Sequence, residues 1–345
     1  MEHTEGQVQT LPLNSKQAEI IFPTPETSRP MMDIQHMGQS TLFAVNPEQA
    51  ETMPPLESED DLENIRPISE RERAYELFLY DVDGVLTSPT EKRVVHLEII
   101  DAIADQLRAG AQVALNTGRS TRWVEEQVVP HLSSLVGDDP DCLARLSIIG
   151  EKGNLWTRYN QSGEAIHGKS RKATVPSELK DAIFELASKY TDIMDNLDPK
   201  ETMISLEMLD GLDVSDFQAK REPFIEAAKK IIKSNPDWAG FCVDATTIAV
   251  DIESIHASKA LGANRFLQIL CKNGVNYLNA EFTTFGDSPS DIEMAQSLAR
   301  NGLPGKHVHV GDNPESLPPS DHFETIHYEG FDTGTSNYLQ RAVKL

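Results

Sequence analysis

Short apolar runs alternate with amphipathic segments along most of this chain, and this alternation limits the folds that it can adopt. The runs ELFLY, QVALN and LSIIG have the length of buried strands. The segments HLEIIDAIADQLRAG and STRWVEEQVVPHL carry apolar residues at helical spacing, and glycine or proline marks their ends. Strands separated by helices with short connections pair in parallel through right-handed crossovers. The sequence therefore predicts an α/β domain built on a parallel sheet.

A segment with a different order of helices and strands interrupts this pattern between residues 157 and 254. It contains a strand pair around LWTRYNQSGEAIHG, two helical stretches, the strand ETMISLEML and the hairpin FCVDATTIAVDIES. After this segment the alternation of helix and strand resumes, with the helices SKALGANRFLQILCKNG and PSDIEMAQSLAR and the strands EFTTF and HVHVG. We therefore predict a core formed by residues 73–156 and 255–345, with an α+β domain, residues 157–254, inserted into it.

Residues 1–72 have a composition that differs from the rest of the chain. They hold eight of the twenty prolines and, through Glu70, thirteen acidic residues against three basic ones. Their apolar residues show no sustained period, which is typical of a disordered tail. A solvated tail and a tail with a short docking segment such as LFAVNP both remain open, and a protein partner for it is unknown.

The overall charge excludes several classes of function. The formal net charge is −24, from 31 basic and 55 acidic residues, so the surface repels nucleic acid and anionic membranes. The apolar runs are shorter than the roughly 20 residues of a membrane span, and no secretory signal is visible. Three scattered cysteines indicate a reducing compartment. We therefore expect a soluble cytoplasmic protein that binds neither nucleic acid nor membrane.

Polar residues follow three of the predicted core strands, at the edge where open α/β sheets bind ligands. They are Asp81 and Asp83 after ELFLY, Thr117, Gly118 and Arg119 after QVALN, and Asp287 and Asp291 after EFTTF. Taken singly, such residues are also typical of solvated turns and capped helix starts. Converging carboxylates repel each other unless a cation lies between them, and Mg²⁺ prefers such oxygen ligands. The sequence therefore predicts a Mg²⁺ site if these strand ends meet.

Four motifs in this order resemble those of the haloacid dehalogenase superfamily of phosphotransferases. They are DxD in LFLYDVDGVLT, the strand end in VALNTGR, the lysine Lys259 in IHASKALG, and GDxxxD in GDSPSDIEM. The resemblance covers roughly residues 74–340 and implies a Rossmann-like core. An insert between the second and third motifs resembles the IIB-type branch, which has a large α+β (C2-type) cap. That branch contains sucrose-phosphate and mannosylglycerate-phosphate phosphatases.

The resemblance implies a catalytic role for four residues. Asp81 would be the nucleophile that forms an aspartyl-phosphate, and Asp83 would be the general acid and base. Thr117 would hydrogen-bond the phosphoryl group, and Lys259 would neutralise the nucleophile and the phosphate.

The resemblance also implies a metal site and further phosphate contacts. Mg²⁺ would be bound by Asp81 and Asp287 and by the backbone carbonyl of Asp83, with Asp291 supporting the metal-bound water or orienting Lys259. Gly118 would contribute to phosphate binding at the start of a helix. Arg119 is equally consistent with a phosphate contact and a surface ion pair.

The function implied is that of a Mg²⁺-dependent phosphatase acting on a small phosphorylated metabolite, a sugar phosphate. A phosphomutase of similar architecture would use the same aspartates, although the TGR of this chain favours hydrolysis. DVDGVLT also resembles capless phosphatases of the 3-deoxy-octulosonate pathway, which lack an insert of this size. A regulatory protein that senses a phosphometabolite is the third alternative. The basic stretch HGKSRKA fits either a second anion contact or a solvated loop.

Overall fold

The computed structural model describes residues 57–58, 75–137 and 139–342. The predicted acidic tail therefore lies outside the described residues, apart from a two-residue strand at 57–58. No helix within the described ranges combines the length and apolar character that crossing a membrane would require.

The described residues form thirteen strands and nine helices. The strands are β1 (Glu57–Ser58), β2 (Glu76–Tyr80), β3 (Gln112–Asn116), β4 (Leu146–Gly150), β5 (Leu155–Tyr159), β6 (Ala165–Lys169), β7 (Met194–Asp195), β8 (Ile204–Met208), β9 (Phe241–Ala245), β10 (Ala249–Ser254), β11 (Glu281–Gly286), β12 (Gly305–His309) and β13 (Glu324–His327). The helices are α1 (Leu97–Ala109), α2 (Thr121–Gln127), α3 (Val129–Val136), α4 (Pro140–Leu143), α5 (Ser177–Ala187), α6 (Val214–Ser234), α7 (Lys259–Lys272), α8 (Ile292–Arg300) and α9 (Asp332–Ala342).

The large sheet has nine strands in the order β1-β6-β5-β4-β3-β2-β11-β12-β13. From β4 to β13 all neighbours are parallel, as the alternating sequence predicts. Successive side chains of a strand point to opposite sides of the sheet, so both faces of this sheet carry apolar side chains. Helices cover both faces. On β2, Tyr80 packs in the layer formed with α1, α2, α3 and α9, whereas Leu77 and Leu79 pack against α7 and α8. The predicted α/β core is confirmed.

The hairpin β5–β6 belongs to the large sheet rather than to the inserted segment. We predicted it within residues 157–254, but β5 pairs antiparallel with β4 and β6 pairs with β5. The predicted boundary at 157 falls inside β5, a strand of the large sheet. A tight turn at residues 150–153 folds the chain back beside β4, and Trp156 is fully buried against Gly168, where a Cβ would collide with the indole. The short strand β1 then pairs in parallel with β6.

A separate four-stranded sheet, in the order β7-β8-β10-β9, forms within the rest of the insert. We call residues 175–254 the small-sheet module. Its apolar side chains, including Phe217, Phe224 and Ile252, pack between the sheet and helices α5 and α6. Because strands alternate, the opposite face of β8 and β10 carries polar residues, among them Ser205 and Asp251.

Candidate active site

The order of the strands brings three of the predicted motifs together. Strands β3, β2 and β11 are parallel neighbours, so their carboxyl ends lie side by side. Asp81 follows β2, Thr117 follows β3 and Asp287 follows β11. The expectation that these strand ends converge is therefore met by the sheet topology.

Lys259 joins two buried aspartates at this edge. Its Nζ lies 2.5 Å from Oδ1 of Asp81 and 2.8 Å from Oδ1 of Asp291. The same ammonium donates to the carbonyl of Asn116 at 3.0 Å, and the Asn116 amide donates to the carbonyl of Lys259 at 3.0 Å. Ser258 caps α7 by accepting from the N–H of Leu261, which fixes the helix start that carries the lysine. Of the two roles implied for Asp291, this geometry corresponds to orienting Lys259.

Burial and mutual repulsion dominate the electrostatics of the aspartates. Burial and then the Asp291 charge raise the pKa of Asp81 well above its usual value, although Lys259 opposes this. The same two causes raise the pKa of Asp287 to about 7. For Asp291, burial is outweighed by Lys259 and by hydrogen bonds from Ser288, so its pKa is lowered. One lysine therefore does not balance the three carboxylates.

The three carboxylates fit the donor set of Mg²⁺. Oxygens of Asp81, Asp287 and Asp291 lie within 4.8 Å of one another. Asp291 already accepts from the Ser288 N–H at 3.0 Å and from its hydroxyl at 2.6 Å. Asp81 and Asp287 are therefore the carboxylates that would hold the cation. Gly84 (φ +73°) leaves the space for Asp287, because a Cβ there would collide with its carboxylate.

Asp83 is held away from this group by Arg119. The guanidinium donates to Asp83 from Nε at 2.8 and 3.0 Å and from Nη2 at 2.6 Å. Arg119 also stacks on Trp123, with its Cζ 4.3 Å from the ring centroid. The carboxylate of Asp83 is therefore engaged by Arg119 in this structure, and the metal contact implied for the backbone carbonyl of Asp83 stays a prediction. The ion pair expected as one alternative for Arg119 is formed.

Thr117 and Gly118 directly follow β3 at the carboxyl edge of the large sheet. Thr117 is fully buried, and its Oγ1 accepts from the N–H of Arg119 at 3.1 Å. Gly118 borders open space, since a Cβ at this position would meet nothing within 4 Å. Their contact with a phosphoryl group stays a prediction.

A cavity of about 390 Å³ opens above these strand ends. On the side of the large sheet it is lined by Asp83, Gly118, Arg119 and Asp287. On the other side stand Ser205, Glu207 and Asp251, which we call the small-sheet wall. Lys152 and Lys200 border the same space, and Lys200 pairs with Asp198. The cavity thus lies between the DxD motif that follows β2 and the polar face of the small sheet.

Sequence reasoning missed several residues of this site. Asn116 orients Lys259, and Ser288 orients Asp291. The signal available in the sequence for Asn116 was a polar residue at the end of a buried strand. Ser205, Glu207 and Asp251 of the small-sheet wall lie on the stretches ETMISLEML and DATTIAVDIES, whose outer faces the sequence marks as candidates to line the pocket. The basic stretch at 167–173 does not line the cavity among the described residues, and its Lys169 pairs with Glu201 at 3.2 Å.

Comparison with known proteins identifies the fold. A scan against models of protein families finds no match, and a search of curated proteins finds none either. Solved structures do match. The C-terminal domain of trehalose-6-phosphate phosphatase from C. albicans aligns with a TM-score of 0.56 and 14% identity, over 79% of this chain and 93% of that one.

A second solved structure agrees with the first. A haloacid dehalogenase-like hydrolase from Bacteroides thetaiotaomicron aligns with a TM-score of 0.51 and 14% identity, over 78% of this chain and 99% of that one. Identities this low establish the fold and leave the activity to be argued from the site. The chain has the fold of the haloacid dehalogenase superfamily, which confirms at the level of structure the resemblance seen in its four motifs.

Proposed function

We propose that this protein is a Mg²⁺-dependent phosphatase that acts through an aspartyl-phosphate on Asp81. The observation that carries the proposal is the buried contact between Lys259 and Asp81, next to Asp287 at the floor of the cavity. A buried carboxylate paired with lysine beside a second carboxylate suits phosphoryl transfer, in which positioning and charge stabilisation supply most of the catalysis. Mg²⁺ bound by Asp81 and Asp287 would offset the repulsion between these groups and a phosphate dianion.

The reaction proceeds in two displacements. An oxygen of Asp81 attacks phosphorus, the bond from phosphorus to the ester oxygen breaks, and Asp83 gives its proton to the departing alcohol. Water then attacks the phosphorus of the acyl phosphate, Asp83 accepts a proton from it, and Asp81 is regenerated with release of inorganic phosphate. Lys259 keeps Asp81 oriented throughout. Because Arg119 holds Asp83 in this structure, the pair must separate before Asp83 can protonate a leaving group.

The cavity supports a sugar phosphate as the substrate class. The small-sheet wall offers the carboxylate of Glu207 as a partner for the hydroxyl groups of a neutral polyol. Asp251 of this wall instead accepts from the Ser205 hydroxyl at 2.7 Å and pairs with Lys152. No aromatic side chain is found among the described residues that line the cavity, so a nucleobase would lack a stacking partner. One structural neighbour is named for a sugar phosphate, which agrees with this proposal.

The test is release of inorganic phosphate from a panel of sugar phosphates and nucleoside monophosphates, with Mg²⁺ and with chelator. We expect Mg²⁺-dependent release from sugar phosphates and its loss in Asp81→Asn. An isomerised phosphate ester without free phosphate would instead indicate the phosphomutase. Binding of a phosphorylated ligand without turnover, in a folded protein that binds Mg²⁺, would indicate the regulatory alternative.

A further inference from the structure

The turn at residues 150–153 contacts both the catalytic edge of the large sheet and the small-sheet module. Its two central residues, Glu151 and Lys152, have φ values of +47° and +54°. Residues other than glycine rarely occupy this left-handed region, because their backbone is strained there. Such backbone strain persists where surrounding contacts enforce it. The contacts that enforce it here lie on two sides of the proposed active site.

On the side of the large sheet, the backbone of the turn holds the exit of β3. The N–H of Glu151 donates to the carbonyl of Arg119 at 2.9 Å. The N–H of Lys152 donates to the carbonyl of Thr117 at 3.0 Å. The two residues therefore fix the loop that carries the second motif.

The same turn also holds the start of α7. The carbonyl of Lys152 accepts from the N–H of Ser258 at 3.0 Å. Ser258 is the N-cap of this helix, and Lys259 is its first residue. A change in the position of Lys152 would therefore be transmitted directly to the catalytic lysine.

The packing around the turn leaves little room for movement. A Cβ on Gly150 would lie 2.7 Å from the backbone nitrogen of Thr121. A Cβ on Gly153 would lie 2.7 Å from the backbone nitrogen of Gly262, one turn along α7. The glycines on either side of Glu151 and Lys152 thus allow this close approach.

On the other side, Glu151 binds the small-sheet module through its carboxylate. Oε1 accepts from the N–H of Glu201 at 2.8 Å, and Oε2 accepts from the N–H of Thr202 at 2.7 Å and from its hydroxyl at 2.5 Å. Glu151 is fully buried. Its side chain therefore acts on the protein and not on a substrate.

Lys152 binds the same module through three carboxylates. Its Nζ lies 2.8 Å from Asp244, 3.3 Å from Asp251 and 2.8 Å from Glu253. Oxygens of these three acidic residues lie within 4.8 Å of one another, so the ammonium supplies positive charge that offsets their mutual repulsion.

We propose that Glu151 and Lys152 are positioning residues, which anchor the backbone presenting Thr117 and Lys259 to the small-sheet module. The kinetic consequence of this role rests on the proposed phosphatase function, whereas its structural consequence does not. If the anchor is removed, the exit of β3 and the start of α7 lose their fixed position even though every catalytic side chain is still present.

The test compares Glu151→Gln with Glu226→Gln, a matched change at an exposed ion pair of the small-sheet module. Amide hydrogen exchange of the full chain reports on the donors at Glu201 and Thr202 on one side and at Ser258 on the other. We expect exchange to accelerate roughly tenfold or more at both places in Glu151→Gln only, since a hydrogen-bonded buried charge is lost. We also expect kcat for p-nitrophenyl phosphate to fall roughly tenfold, with little change in KM.

Faster exchange at Glu201 and Thr202 alone, with Ser258 and kcat unchanged, would overturn the proposal, because Glu151 would then act only locally. If Glu151→Gln does not fold, Lys152→Met is measured at the same amides with the same two outcomes. If the unaltered protein has no phosphatase activity, the proposed function fails, and the exchange at Ser258 still decides the positioning role.

Discussion

Arg119 and Asp83 form a three-contact ion pair across the floor of the cavity, with the guanidinium stacked on Trp123. Asp83 is the residue to which we assign proton transfer, so the pair holds the general acid away from the position where it would act. The side chain of Asp83 is 47% exposed, and that of Arg119 is 21% exposed. A bound phosphate ester would offer the guanidinium another anionic partner for its forked donors, which would free Asp83.

The role of Asp83 predicts a dependence on the leaving group. In Asp83→Asn, we expect the rate of the first displacement on a sugar phosphate to fall by roughly 10²–10⁴, the usual contribution of a general acid. The loss for p-nitrophenyl phosphate should be much smaller, because p-nitrophenolate departs without a proton. Rapid-quench measurement of leaving-group release in the first turnover measures this difference, since the second displacement needs Asp83 with either substrate. Equal losses on both would show that Asp83 does not protonate the leaving group.

Gly84 is predicted to be required for cation binding. Alanine there would face a φ of +73° and a collision with the Asp287 carboxylate. We expect Gly84→Ala to weaken Mg²⁺ binding, measured by titration calorimetry, by roughly tenfold or more, as for displaced metal ligands. The control is Gly240→Ala, whose Cβ would meet nothing within 4 Å. Unchanged Mg²⁺ affinity in Gly84→Ala would remove Asp287 from the metal site.

Glu253 is predicted to make stability depend on pH. Burial raises its pKa to about 7 from an ordinary value of 4.5, although Lys152 opposes the shift. The folded state therefore binds this proton more tightly than the unfolded chain. The resulting stabilisation is complete below about pH 4.5 and is lost as the pH rises through 7.

Glu253→Gln should flatten this dependence. Between pH 5 and 8, the free energy of unfolding of the variant should decrease less than that of the unaltered protein, as measured by denaturant titration. Glu185→Gln, on the exposed side of α5, is the control and should keep the original dependence. A slope unchanged in Glu253→Gln would contradict the assignment.

His307 is predicted to destabilise the fold in acid. Burial lowers its pKa to about 4 from 6.5, and its Nδ1 lies 2.8 Å from the Thr284 hydroxyl. The unfolded chain therefore binds this proton more readily, so stability present above pH 6.5 is lost as the pH falls toward 4, by at most about 1.4 kcal/mol per pH unit. Melting temperatures of His307→Gln should fall less steeply below pH 6.5 than those of the exposed control His131→Gln. If the melting temperatures of the two variants fell in parallel as the pH is lowered, the assignment of this acid sensitivity to His307 would be refuted.

The sequence was sufficient to predict the residues at the strand ends, because parallel strands must end at one edge of a sheet. Asp81 and Asp287 are adjacent for this reason. Lys259 was found only through the resemblance, since it begins a helix and no pattern of spacing links it to Asp81.

Other features depend on tertiary packing that periodicity does not encode. An alternating strand such as β5 can join either sheet, and the packing of Trp156 on Gly168 is what places it in the large one. The pairing of Lys152 with Asp251 and Glu253 requires the small sheet to lie against the turn at 150–153. Neither relationship has a local signature in the chain.

The most direct test of the account is to trap the phosphorylated nucleophile. Asp83→Asn would be incubated with p-nitrophenyl phosphate and Mg²⁺, quenched in acid and reduced with borohydride, which converts an aspartyl-phosphate to homoserine. Peptide mass spectrometry should find homoserine at position 81, only when substrate is present and not in the double variant that also carries Asp81→Asn. Turnover of the substrate with an unmodified Asp81, or homoserine at another aspartate, would contradict the assignment of Asp81 as the nucleophile.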